Sequence, residues 1–178
     1  MPYTTRAQAL GSLCAVALAS QTGIAAVLAA GSKPDPADIK ALAATLALER
    51  ALIQLYADPN ATHLLSPPVL AVIGQFSTDH VAHRDALAQA LGAAGQTVSQ
   101  DVAVIAQPSL SNEGDVLGFA YTLERQLANA HLGSVPSFKN RDYSATAASI
   151  LGVETTHVAL LGEALRQGRA YPSGFVTG

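Results

Sequence analysis

Apolar residues recur at helical spacing in four stretches of this chain, each opened by a capping residue and closed by Gly or Pro. Asp35-Pro36 opens the first, in which Leu42, Leu46, Glu49, Leu52, Ile53 and Tyr56 share one face, and Asp58-Pro59-Asn60 breaks it after Ala57. Ser66-Pro67-Pro68 opens the second, which runs to about Leu91 before Gly92 and Gly95, with Phe76, Asp79, His80, His83, Leu87 and Leu91 inward. The third begins at Ser111 or Asn112 and runs to Leu132, ahead of Gly133, presenting Leu117, Ala120, Tyr121, Glu124, Leu127 and His131. The fourth starts near Asp142 and carries Glu154 and His157 towards Gln167. Between the second and third, Gln96 to Asn112 has no sustained period and reads as one long crossover. The pattern predicts an all-α, four-helix bundle.

Carboxylates and imidazoles on these apolar faces stand out, because a buried charge is costly unless a hydrogen bond, a counter-charge or a metal ion compensates it. Glu154 and His157, three residues apart, fall on one face of one helix.

Composition narrows the reading. With 49% apolar and 13% charged residues in 178, the chain has core enough for one domain. Tryptophan is absent, and Ala and Leu favour helix over strand. A net charge of −3 without a Lys/Arg cluster excludes an electrostatic footprint for nucleic acid. Cys14 is the single cysteine, which excludes an intrachain disulfide and a cysteine-based zinc site. No Gly-x-Ser-x-Gly elbow or phosphate loop occurs.

Residues 1–30 carry one charged side chain, Arg6, and continue from there through small and apolar residues to Ala29-Ala30-Gly31, like a secretory signal peptide. The expectation is a signal peptide over 1–30, the bundle over 31–170 and an irregular tail over 171–178. Export to the periplasm or outside the cell follows, with a cytoplasmic N-terminal helix or a retained membrane anchor as the alternatives. No stable membrane span is expected after processing.

The two halves of the bundle repeat. Leu46-Ala47-Leu48-Glu49-Arg50-Ala51-Leu52 matches Tyr121-Thr122-Leu123-Glu124-Arg125-Gln126-Leu127 at an offset of 75 residues, and His80-x-x-His83 falls on Glu154-x-x-His157 at an offset of 74. A Glu therefore recurs on the first and third helices and an x-x-x-His unit on the second and fourth. Four-helix carboxylate proteins hold two metal ions this way, with a Glu from two helices and Glu-x-x-His from the other two. Carboxylates bridge hard divalent ions and imidazoles add terminal nitrogens.

From about Ala41 to Arg166 the chain resembles the exported ferritin-like domain proteins of bacteria and fungi. The resemblance is carried by Leu48-Glu49, by Asp79-His80-Val81-Ala82-His83-Arg84-Asp85, by Leu123-Glu124 with Ala130-His131-Leu132-Gly133, and by Ala147 to His157. It implies a ferritin-like bundle with one crossover between helices two and three, and it places Glu49, His83, Glu124, Glu154 and His157 as metal ligands. The implied cofactor is one or two iron or manganese ions, used in oxygen or peroxide chemistry under oxidative stress or in metal handling.

The chain departs from that pattern at His80, where the family carries Glu. Losing a bridging carboxylate and gaining a nitrogen donor favours a mononuclear centre, another metal preference, or a metal-free bundle module. His80 ranks as a sixth ligand ahead of Asp79, which matches a neighbouring acid. His131 stands where the family often has Tyr. It and Tyr56 occupy equivalent repeat positions and read as core or supporting groups. Arg50, Arg84 and Arg125 are the alternative partners for the buried glutamates, and His63 falls in a solvated turn. Whether the protein is an enzyme stays open, as does its assembly, a homodimer among the options.

Overall fold

The computed structural model describes residues 34–166, and within them five helices and no strand. They are α1 (Pro36–Ala57), α2 (Pro59–Thr62), α3 (Pro67–Ala93), α4 (Glu113–Ser134) and α5 (Arg141–Arg166). The signal-like segment 1–30 and the tail 171–178 lie outside the described residues. No described helix is long and apolar enough to cross a membrane.

Local chemistry sets most boundaries. Asp35 caps α1 by accepting from the Ala37 amide at 2.8 Å, with Pro36 at the first helical position. Asp58, read from the sequence as part of a breaker, instead caps the one-turn helix α2, accepting from the Asn60 amide at 2.9 Å. Asn112 accepts from the Asp115 amide at 3.1 Å to start α4. At the far end of α3, Gly95 takes φ +74° and bonds to the Gly92 carbonyl while Gln96 bonds to Leu91, a Schellman stop. Gly92 and Gly133, expected as terminators, lie inside α3 and α4. Their backbones stay αR because packing carries the helix past an isolated glycine.

Helix α1 packs along α3 and α4 along α5, and contacts of α1 with α4 and of α3 with α5 close the bundle. The crossover from 94 to 112 runs outside α1, tied by the Ala103 amide to the Ala47 carbonyl at 3.0 Å and by Arg50 to the carbonyls of Ser99 and Asp101. Near the start of α1, buried Asp38 accepts from the amides of Lys139 and Asn140 at 2.9–3.1 Å, joining α1 to the α4–α5 link.

Two apolar clusters fill the interior. One joins Leu52, Tyr56, Ile73, Phe76, Leu117, Leu127 and Leu161; the other joins Leu42, Leu46, Leu87, Leu91, Tyr143 and Ile150. On α1, Glu49 comes between Leu46 of one cluster and Leu52 of the other. On α3, His80 and His83 come between Phe76 and Leu87, and on α5, Glu154 and His157 come between Ile150 and Leu161. A polar layer thus interrupts the core at mid-height. Ile53 and Tyr121, expected on the inner faces, are only half-buried, and Leu55 and Leu123 take the inward places beside them.

Candidate metal centre

All six residues singled out from the repeat meet in that layer. Glu49, His80, Glu124 and Glu154 are 0% exposed, with His83 and His157 at 3% and 2%. Each is placed by helix periodicity: one turn separates His80 from His83 on α3 and Glu154 from His157 on α5, so each pair lies on one inner face. The pair Glu49 and Glu124 enters from α1 and α4.

The donors divide into two groups that share His80 and Glu154. Glu49, His80, His83 and Glu154 bring one ligand atom each within 4.8 Å of one another, and so do His80, Glu124, Glu154 and His157. Either group could hold a metal ion.

Whether a metal suits these groups is tested by the hydrogen bonds they lack. Glu49 Oε1, His83 Nδ1 and Glu154 Oε1 on one side, and Glu124 Oε2, His157 Nδ1 and Glu154 Oε2 on the other, are buried polar atoms without a hydrogen-bond partner. Such orphans are expensive in a core. They are nonetheless close together: His83 Nδ1 lies 2.8 Å from Glu154 Oε1, without hydrogen-bond geometry, and 3.5 Å from Glu49 Oε1. His157 Nδ1 lies 3.5 Å from Glu124 Oε2 and 3.7 Å from Glu154 Oε2. Donors bound to one ion at about 2.0–2.2 Å stand roughly 3.0–3.4 Å apart, depending on coordination geometry. The spacing and the oxygen-and-nitrogen chemistry therefore fit a divalent ion in each group.

His80 is different. Its Nδ1–H donates to Glu49 Oε2 at 2.7 Å and its Nε2–H to Glu124 Oε1 at 3.1 Å. The ring thus spans the two groups, linking the carboxylates of α1 and α4 where the resemblance implies a bridging Glu. Asp79 does not reach the donors' side. Its Oδ2 accepts from His157 Nε2 at 3.2 Å and its Oδ1 from Gln75 at 3.2 Å, which leaves His157 Nδ1 directed at Glu124 and Glu154. Phe76 stacks on the same ring at 3.9 Å between centroids. Asp79 is therefore a group that positions His157.

Tyr56 and His131 complete the layer. The Tyr56 hydroxyl donates to Glu124 Oε1 at 2.5 Å. Fully buried His131 has Nε2 3.5 Å from Glu49 Oε1, and neither of its ring nitrogens is hydrogen-bonded. Each repeat thus sends its Tyr or His to the Glu of the other repeat. The sequence offset showed their equivalence; only the crossing of the helices shows which Glu each one meets. The alternative partners do not fill this role: Arg50 serves the crossover, Arg84 pairs with Asp85 at 2.7 Å, and Arg125 stands over the Tyr121 ring.

The charges follow from these contacts. Burial alone would neutralise His80 and His83, but the surrounding carboxylates outweigh it. Glu124 and Glu154, with the hydrogen bonds to Glu124 and Glu49, hold the His80 pKa up at about 10. The adjoining carboxylates of Glu154 and Glu49 hold that of His83 at about 9. His157 is likewise raised well above its ordinary value, against burial, by Glu124 and by Asp79. In return, and again against burial, His131, His80 and His83 depress Glu49, and His80 and His157 depress Glu124. Glu154 moves the other way, raised by burial and by the like charges of Glu124 and Glu49.

Comparison with known proteins agrees with this geometry. Residues 37–167 match the ferritin-like domain family. A conserved hypothetical protein of Mycobacterium tuberculosis is similar at 25% identity and a TM-score of 0.64, covering 70% of this chain and 94% of that one. A ferritin-like, diiron-carboxylate protein of Bacillus anthracis shares the fold at 18% identity and a TM-score of 0.65, covering 72% of this chain and 95% of that one. No curated protein sequence matches. The family match spans most of the chain and includes every helix that carries the buried Glu and His residues, and the chain belongs to the ferritin-like domain family.

Proposed function

We propose that this protein binds one or two iron or manganese ions between Glu49, His80, His83, Glu124, Glu154 and His157, and that it acts, as an exported protein, in oxygen or peroxide chemistry or in metal handling. The observation that carries the reading is Glu154. Both of its carboxylate oxygens lack a hydrogen-bond partner, and each faces a different group of donors. A carboxylate left so in a protein core is costly, and a metal ion at each oxygen offsets that cost.

Within this reading the chain's own residues have distinct tasks. Glu49 with His83, and Glu124 with His157, would hold the ions terminally, while Glu154 reaches both. Asp79 fixes which His157 nitrogen faces the centre, and the Tyr56 hydroxyl orients Glu124. The apolar clusters above and below the layer limit water around the donors. Bound iron or manganese would supply redox chemistry with dioxygen or peroxide. The B. anthracis diiron-carboxylate protein supports this choice by fold.

Elemental analysis of the purified protein after loading with iron, manganese, copper or zinc, beside the same measurement on Glu154→Ala, tests the proposal. Stoichiometric metal in the parent and its loss in the variant are expected. Absence of bound metal from the parent under all four conditions overturns the reading.

A second reading rests on His80. Because its two N–H groups satisfy Glu49 and Glu124 without any ion, the layer also suits a metal-free helical module held by buried hydrogen bonds. Chelator separates the two readings. A site occupied only in the folded state raises the melting temperature, which chelator then lowers, whereas a metal-free module melts unchanged.

A further inference from the structure

The geometry points to His80 as a bridging ligand, binding one metal ion through each ring nitrogen, with the ring as an imidazolate between them. This rests on the metal-binding reading above and gives that centre a bridge other than carboxylate.

The placement of the ring carries the inference. Nδ1 lies on the side of Glu49 and Glu154, 2.7 Å from Glu49 Oε2 and 3.7 Å from Glu154 Oε1, while Nε2 lies 3.1 Å from Glu124 Oε1 on the other side. His80 is thus the one nitrogen-bearing side chain that belongs to both candidate groups, and its two nitrogens meet different glutamates, Nδ1 those of α1 and α5 and Nε2 that of α4. A ligand serving a single ion would leave its second nitrogen on a supporting acceptor, as His157 does with Asp79. His80 has no such arrangement, because both nitrogens face glutamates that themselves face the centre.

Charge agrees with this assignment. Three ionised glutamates bring −3 to a layer that two divalent ions would charge with +4. A neutral imidazole leaves an uncompensated positive charge in a fully buried site, whereas an imidazolate supplies the missing −1, as a fourth carboxylate would. The balance is explicit. Each N–H bond of His80 breaks, each nitrogen lone pair binds an ion, and the two protons leave to solvent. No oxidant or reductant is involved. Glu49 and Glu124 lose the two His80 hydrogen bonds and gain the ions in their place.

The bridge sets the spacing of the ions. Bonds of about 2.0–2.1 Å on the two sides of an imidazole ring put the ions roughly 6 Å apart, against about 3.5–4 Å in carboxylate-bridged pairs. Glu154 permits the wider spacing, since its two oxygens face the two groups separately.

The full chain loaded with Cu(II) at neutral pH tests this by elemental analysis and by anomalous diffraction at the copper edge. Two ions about 6 Å apart, one at each nitrogen of His80, are the expected result. Two ions within about 4 Å of each other, with His80 outside the pair, overturn the bridge and leave the metal-binding reading intact, as does a single ion. No bound copper overturns the bridge, and no bound ion after iron, manganese, copper or zinc loading overturns both. In solution, magnetic coupling through the ring leaves the integrated Cu(II) EPR signal well below the copper content, and His80→Gln restores it. A full, uncoupled signal from the parent protein carrying two copper ions overturns the bridge independently of any variant.

Discussion

Asp79 accepts a hydrogen bond from His157 Nε2 at 3.2 Å, on the side of the ring away from Glu124 and Glu154. The contact holds the imidazole in the tautomer whose Nδ1 can bind an ion. Asp79→Ala removes the acceptor and leaves both apolar clusters untouched, so the fold should persist while metal affinity falls about 10- to 100-fold. Competition against a chromophoric chelator measures it. Unchanged affinity would mean that Phe76 stacking alone positions the ring.

Tyr56 and His131 occupy equivalent places but differ in what they satisfy. The Tyr56 hydroxyl donates to the Glu124 carboxylate, whereas His131 leaves both ring nitrogens without hydrogen bonds. In chelator, Tyr56→Phe should lower the unfolding free energy by about 1–3 kcal/mol, the worth of a buried hydrogen bond to a charged group. His131→Leu, of similar volume, should cost less, because it removes two ring nitrogens that make no hydrogen bond. Urea denaturation of both variants checks the contrast, and equal losses would contradict it.

Replacing His80 with Glu gives the layer four carboxylates and removes the cation between Glu49 and Glu124. Breaking such a buried pair costs about 3–5 kcal/mol, so His80→Glu should melt at lower temperature than the parent in chelator. Added divalent metal should then raise its melting temperature by more than it raises the parent's. A variant equally stable with and without metal would show that these carboxylates find other partners.

The metal-free protein should be most stable in mildly acidic solution. The pKa values of His80 and His83, raised from 6.5 to about 10 and about 9, give stability that is complete below pH 6.5 and is lost as pH rises through 9 and 10. Glu49 and Glu124, depressed below 4.5, give stability that is present above pH 4.5 and is lost as pH falls through their lowered values. Glu154, raised, favours its neutral form and so declines in contribution above pH 4.5, in the same sense as the histidines. Urea midpoints of the chelated protein should therefore peak between pH 4.5 and 6.5 and fall towards alkaline pH. A midpoint rising from neutral to alkaline pH would contradict the charge assignment.

Much of this protein was legible in its sequence, because helix periodicity and an internal repeat are both local in origin. The spacing of Glu49, His80, His83, Glu124, Glu154 and His157 within apolar stripes suffices to place each on an inner face, and the 75-residue offset pairs the two halves. Capping chemistry at Asp35 and Asn112 likewise marks two helix starts before any packing is known. What depends on relative helix position was not legible. Asp58 starts an extra turn, Gly92 and Gly133 stay helical, and Asp38 ties α1 to a link about a hundred residues away, all through tertiary packing or distant backbone.

The same division runs through the metal centre. The sequence by itself determined which side chains would share a buried layer, since a helix fixes the direction of every residue it contains. Only the tertiary structure decided that Asp79 backs His157 instead of joining the donors, and that Tyr56 and His131 cross over to the glutamate of the opposite repeat. It also decided that His80 meets Glu49 with one nitrogen and Glu124 with the other. Those contacts depend on how four helices cross, and the direction of a ring within a shared layer is set by neighbours that no spacing along one chain segment specifies.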